Sequence, residues 1–327
     1  MFTSDSKKQN NKSFTIRLRE VLSKTSVLPI LVVVWIIFSI ISPVFFSIGN
    51  AQTLLAATAV IAIAAIGETL VLITAGIDLS VASVAACAGV VSAYVIGPVG
   101  DPLTGLLIAL GIGLVFGVIN GVSVAYLGLT PFILTLGTYL IARGIAFSVS
   151  EGISLGVPQS IRLFGSSKFF GIPLIAIVAI SLMIIFGLIL TKTTWGRHVY
   201  LVGTNPSAAD YVGIRRKLII FSVYSITGLL SGLAGYMAVA NLGAALPGVG
   251  DKILLIIIGG VILGGTSMFG GSGSIGKTAL GILLLASLTN GLNLLGFDFY
   301  DQLIAQGIVI VLGTAMIVWT ERTRKTD

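Results

Sequence analysis

The chain has 327 residues, of which 56% are hydrophobic and only 9% charged, with a formal net charge of +7. A soluble domain carries about 25% charged residues, so too little polar surface is present to cover a water-excluded core. The composition therefore implies an all-α integral membrane protein with several spans. It does not favour a membrane β-barrel, whose strands alternate in runs of about ten residues. The basic residues sit in tails and inter-span segments, where the orientation rule places them, and do not suggest a nucleic-acid partner. Cys87, the single cysteine, lies in an apolar run and reads as a packing residue.

Residues 1–26 are polar and basic and read as a cytoplasmic tail, with a surface helix expected near Phe14–Leu22. About ten spans follow by length, since about twenty apolar residues cross the hydrocarbon. They run from about Val27 to Ile41, Gln52 to Thr74, Val81 to Ile96, Leu103 to Tyr126, and Phe132 to Val149. The others are Ile172 to Leu190, Leu218 to Ala240, Ile253 to Met268, Ile275 to Leu295, and Leu303 to Thr320. The domain reading is a tail (1–26), a transmembrane domain (27–320) with a polar cytoplasmic segment at 191–217, and a second tail (321–327). With the amino terminus inside, fifteen of the 19 Lys and Arg residues fall on the inner side, so both termini are expected there. Ser150–Gly171 is the longest outer loop and Asn241–Asp251 another.

Two carboxylates interrupt the second and third spans. Gly76 can break the helix there, and Asp78 or Ser80 can cap the next one. Asp78 can instead be part of a cation or proton site. Glu68 is open to three readings: it lines a pathway, pairs with Arg143, or lies at an interface. Gly113, Gly117 and Gly121 stand four apart, as do Gly228 and Gly232, the spacing that lets helix backbones touch. The spacing favours contacts inside the chain over a dimer contact.

The longest polar interruption, Thr191–Lys217, carries Lys192, Arg197, Arg215, Arg216 and Lys217. From Asn205 to Ile214 it reads as a short helix, with Pro206 in its first turn and Gly213 at its stop. Gly271–Thr278 matches the phosphate-cradling P-loop pattern, but its flanks are membrane spans and not the strand such a loop requires. It is read as a glycine-rich inner turn. His198 stands without a second histidine or a nearby cysteine, so no metal site is expected. No nucleophile–base pair is visible, so no catalytic residue is expected either.

Four stretches together resemble one family: GIDLSVAS (Gly76–Ser83), GTYLIARG (Gly137–Gly144), TTWGRHVYLVGTNPSAADYVGI (Thr193–Ile214) and GGTSMFGGSGSIG (Gly264–Gly276). The chain is similar to the permease subunit of bacterial ABC importers for ribose, xylose, galactose and related monosaccharides. NGLNLLG at Asn290–Gly296 looks closest to the ribose-type members. The resemblance implies a multi-pass protein of the bacterial inner (plasma) membrane with the ABC importer permease fold. It implies three partners: a cytoplasmic ATPase that binds ATP and magnesium, an extracytoplasmic sugar-binding protein, and a second permease copy or paralogue. This chain itself would carry no cofactor.

The resemblance also makes Thr191–Lys217 the coupling loop. Its ATPase-coupling residues would be Arg197, Asn205, Pro206, Ser207, Ala208, Ala209 and Gly213, with Ser207 where a glutamate is usual. Ala82 stands where many members have glycine. Glu68, Gly76, Asp78, Ser80 and Arg143 are the pathway or helix-break candidates. The same architecture could carry a signalling furanone or a branched-chain amino acid. The rival from another class is an ion-coupled secondary transporter built on Asp78 and Glu68.

Overall fold

The computed structural model describes residues 27–324. The amino-terminal tail with its expected surface helix, and residues 325–327, lie outside the described residues. Among the described residues, ten apolar helices form the bundle. They are α1 (Val27–Ile41), α2 (Ile48–Ile73), α3 (Val81–Ile96), α4 (Pro102–Ala125), α5 (Pro131–Ser150), α7 (Leu174–Lys192), α10 (Arg216–Leu242), α11 (Val249–Leu263), α12 (Ile275–Leu294) and α13 (Phe299–Arg324). Seven of them are long and apolar enough to cross a membrane by length and composition alone.

At one end lies the short helix α6 (Gln159–Ser166), with two small strand pairs. β1 (Leu155–Gly156) pairs antiparallel with β4 (Ala244–Ala245), and β2 (Lys168–Phe169) with β3 (Ile172–Pro173). At the other end lie α8 (Thr194–Thr204) and α9 (Pro206–Tyr211). The sequence showed α9 but missed α8, which follows the sixth span after a single residue. Its signal was Thr193, whose hydroxyl caps the helix by accepting from the Gly196 amide at 3.1 Å.

Helix α2 is the centre of the bundle. From Ala59 to Ile73 every residue is buried, Glu68 and Thr69 included, so the helix is enclosed all round. The interior is lined by small side chains, including Ala62, Ala64, Ala65, Ala82, Ala85 and Ala88. The large apolar residues Ile40, Ile184 and Val311 point outward. Large side chains such as Ile63, Ile66, Leu70 and Tyr224 are buried beside the small ones, and apolar residues on both the inside and the outside suit a chain solvated by lipid, where small residues let helices pack closely.

The glycine spacings lie within the chain. A Cβ on Gly113 would stand 2.2 Å from the Gly228 carbonyl oxygen, and one on Gly117 would stand 2.6 Å from that of Tyr224. Helices α4 and α10 thus touch backbone to backbone. The expected eighth span needs correcting. It starts at Val249 and ends at Leu263, so Asp251 falls in the first turn of a helix and not in an outer loop. At about 22 Å, this helix is too short to cross a 30 Å hydrocarbon layer.

Candidate functional site

The short helix α9 is built as the sequence suggested. Asn205 is extended (φ −152°, ψ 92°), and its Oδ1 accepts from the Ala208 amide at 3.0 Å. Pro206 occupies the first turn, where its missing N–H leaves nothing unpaired. The stop is a Schellman motif. The Ile214 amide donates to the Ala209 carbonyl at 3.0 Å, the Gly213 amide donates to Asp210 at 3.0 Å, and Gly213 has φ +77°.

Of this helix only Ala209 is buried. Pro206, Ser207 and Gly213 are exposed, and so is Arg197 on α8. The sequence reasoning passed over Tyr211 and Val212, which are 92% and 68% exposed at the tip of the helix. They leave an aromatic and an aliphatic side chain uncovered beside the polar face of the helix. Beside them an open groove of about 530 Å³ is lined by Tyr126, Asp210, Arg215, Arg216 and Lys217.

Helix α8 fixes α9 to the core. Trp195 Nε1 donates to Ser222 Oγ on α10 at 3.0 Å. Burial pushes the Tyr200 phenol up, so it stays protonated and donates to the Gly273 carbonyl at 2.9 Å. The closest approach is at Gly203, where an added Cβ would lie 1.8 Å from the Ile73 carbonyl oxygen. The same oxygen accepts from the Gly271 amide at 2.9 Å. The glycine-rich segment that mimics a P-loop therefore spends that amide on the last turn of α2. It follows helix α11, and Lys277 is exposed within α12.

Ile73 ends α2, and the next seven residues form a break, with Thr74, Gly76, Asp78 and Ser80 buried, before α3 begins at Val81. The turn is made by Ala75, at φ +60°, and not by Gly76 as expected. Gly76 is needed for room, because a Cβ there would sit 2.6 Å from Tyr224 Oη. Asp78 does satisfy a backbone donor: its Oδ1 accepts from the Ser80 amide at 2.9 Å and the Ser80 hydroxyl at 2.6 Å. Ser80 itself makes no side-chain cap. Its hydroxyl already serves Asp78 and accepts from Asn120 Nδ2 at 3.0 Å. Thr135 Oγ1 of α5 accepts from the Leu79 amide at 3.2 Å.

Glu68 joins this cluster, since its Oε1 accepts weakly from the Asp78 amide at 3.4 Å. It does not pair with Arg143. The guanidinium of Arg143 instead binds Asp251, with Nη2 to Oδ2 at 2.8 Å and Nε to Oδ1 at 3.1 Å. The reason is placement: Glu68 is fully buried in the central helix, while Arg143 is on an exposed face of α5. At the opposite end of the bundle, an open cavity of about 580 Å³ is lined by Gln52, Thr53, Arg162, Ser166, Lys168 and Asn241.

A bundle of apolar helices, broken at a buried polar cluster and tied to a capped helix exposed at one end, defines a multi-pass transport subunit. The chain belongs to the family described as branched-chain amino acid transport system / permease component, whose model it matches over residues 50–317, and it is an ABC-type permease of the bacterial inner membrane. It is 40% identical over 299 residues to the ribose import permease protein RbsC of Escherichia coli (strain K12), covering 89% of this chain and 92% of that one. It is 37% identical over 284 residues to the ribose import permease protein RbsC of Bacillus subtilis (strain 168), covering 86% and 88%. It is 33% identical over 303 residues to the L-arabinose transport system permease protein AraH of Escherichia coli (strain K12), covering 91% and 92%. No solved structure matches it significantly.

Proposed function

We propose that this chain is the membrane subunit of an ATP-driven importer for a monosaccharide of the ribose kind. The names of its relatives favour a sugar over the branched-chain amino acid of the family description. The chain works with a cytoplasmic ATPase, which binds ATP and magnesium, and with an extracytoplasmic sugar-binding protein. A second permease, identical or paralogous, completes the path. The end bearing α8 and α9 is cytoplasmic, as the concentration of basic residues there favours.

The single observation that carries the proposal is a continuous mechanical link. A force on Tyr211, Val212 and the Ala208–Ala209 turn of α9 passes into α8. From α8 it passes through Gly203 to the Ile73 carbonyl, the last residue before the break that holds Asp78. The contacts are backbone to backbone, so they transmit displacement with little slack. Drawing two ATPase domains together would shift α8 and α9 on both permeases. The α4–α10 pair would then move as a rigid body, with the 74–80 break and the 264–274 segment taking up the change.

The test is uptake into membrane vesicles holding this chain, its ATPase and its binding protein, with ATP inside and ion gradients dissipated. Continued monosaccharide uptake that stops when ATP or the binding protein is withheld is the expected result. Uptake by this chain alone, lost with the gradient, would overturn the proposal in favour of an ion-coupled transporter on Asp78 and Glu68.

A further inference from the structure

The Arg143–Asp251 pair is the unexplained feature of the bundle, because both side chains are exposed, at 44% and 37%. Its depth follows from packing. On α10, about 40 Å long, Gly235 stands roughly 28 Å above Arg216. A Cβ on Gly235 would meet the Ala85 carbonyl oxygen at 2.0 Å, and one on Gly250 would meet that of Ala82 at 2.6 Å. Helix α3 runs parallel to α10, since Ala85 meets Gly235 and Gly89, one turn further along, reaches Val239. Ala82, one turn before Ala85, therefore lies roughly 24 Å up the same axis, near mid-bilayer. Helix α11 starts there and returns towards the α8–α9 end, where Gly264 meets Lys277 and Thr278. It is a half-length helix whose amino terminus opens at mid-depth.

Charges at that depth do not face lipid; they face a water-filled cavity or a protein partner. The pair also sits among groups suited to one kind of guest. Tyr139 Oη donates to Asp251 Oδ1 at 2.9 Å. Phe147 lies under the Arg143 guanidinium, 5.2 Å from ring centroid to Cζ. Leu136, Leu140, Arg143 and Phe147 follow one another at helical spacing along one exposed stripe of α5. Arg143 spends two of its three nitrogens on Asp251, which leaves N–H groups free on its fork. The carboxylate keeps lone pairs. Together the donors, the acceptors and an aromatic face match a neutral polyhydroxylated ring, whose hydroxyls donate and accept and whose C–H face stacks.

We propose that Tyr139, Arg143, Phe147 and Asp251 form a sugar-contacting station on the wall of the translocation path, at the mouth of the half-helix α11. The cargo half of this proposal rests on the importer function above; the placement of the wall does not. The half-helix has a known physical use, since its amino-terminal dipole and free amides present polar groups to a substrate at mid-membrane. Asp251 in its first turn is held by that dipole.

The experiment uses single cysteines at Leu140 and Phe147 in the full complex, on a Cys87→Ala background, with Ile184→Cys on α7 as the lipid-facing control. A charged, membrane-impermeant methanethiosulfonate reports water access in the nucleotide-free and ATP-trapped states. Leu140→Cys and Phe147→Cys should label several-fold faster than Ile184→Cys in at least one state, and loaded binding protein should slow that labelling several-fold. Labelling no faster than the control in every state would place the stripe against lipid or protein and overturn the path. Tyr139→Phe, which removes only a hydroxyl, should lower sugar transported per ATP hydrolysed without lowering the melting midpoint. An unchanged ratio would overturn the sugar contact. A wild-type complex that moves no monosaccharide would refute the importer function and the cargo half with it, while the cysteines still decide whether the wall is wet.

Discussion

Replacing Gly203 with alanine adds one methyl group where α8 meets the end of α2. The new Cβ would lie 1.8 Å from the Ile73 carbonyl oxygen, against an ordinary C···O contact of about 3.4 Å. One backbone must retreat by about 1.6 Å, which is the difference between those distances. Overpacking of this kind costs about 1–3 kcal/mol. Weakening the 2.9 Å bond from the Gly271 amide to the same oxygen adds about 0.5–1.5 kcal/mol. At roughly 2–4 °C per kcal/mol, the melting midpoint should fall by about 3–18 °C.

The displacement also falls on the tightest backbone-to-backbone approach between α8 and the end of α2. A bias of about 1.4 kcal/mol between two states already changes their ratio tenfold. ATP-driven uptake in proteoliposomes should therefore fall at least tenfold, while the ATPase still co-purifies with the chain. The control is Gly187→Ala, where the added Cβ would meet nothing within 4 Å. It should melt and transport like the wild type. A Gly203→Ala complex with wild-type uptake and an unshifted midpoint would refute the coupling route through Ile73.

Four further outcomes follow from the site. Tyr211→Ala should weaken ATPase binding by at least about 2 kcal/mol, roughly 30-fold in affinity, with no loss of permease stability, as titration of the purified components would show. Gly213→Arg places a side chain at φ +77° and should cost about 1–2 kcal/mol locally, with loss of both ATPase binding and uptake; retention of both would remove α9 from the coupling surface. Asp78→Ala leaves the buried Ser80 amide and hydroxyl without their acceptor, at about 1–3 kcal/mol each, so melting should drop by more than for Asp78→Asn, whose amide oxygen still accepts.

Asp101 caps α4, and the Thr104 amide and hydroxyl hold its carboxyl below the ordinary 3.8. A depressed carboxylate contributes fully above its ordinary range, and the contribution is lost as pH falls through the lowered folded value. The drop of the wild-type midpoint on acidification should thus include a part that Asp101 carries, and Asp101→Ala should blunt it.

Hydropathy and length made the spans legible. The first and third match their helices end to end, because turn-forming and polar residues mark where each apolar run starts and stops. The caps of α9 were legible because Asn205, Pro206 and Gly213 act locally. What sequence could not show depends on neighbours far along the chain. Gly76 looked like a turn residue, but the positive φ belongs to Ala75; Gly76 is small because Tyr224, 148 positions later, fills the space. Pairing with Arg143 is one of three readings that the sequence leaves open for Glu68, because both charges interrupt spans. Burial separates them, and the true partner of Arg143 lay in a stretch that read as an outer loop. Half-length helix α11 escaped notice because hydropathy counts apolar residues and does not see depth.

The glycine seam between α4 and α10 has a consequence for how the protein is made. Its two halves are separated by about 90 residues of chain. At a synthesis rate of about 5–20 residues per second, α4 waits roughly 5–18 s for its partner. Throughout that interval Gly113 and Gly117 present a groove whose complement does not yet exist. Nascent chains halted before Arg216 should expose it to a membrane-soluble crosslinker, and chains halted beyond Leu242 should not. The early half of the permease is thus a partly open assembly in the bilayer, and it is closed by a helix on the far side of the cytoplasmic segment.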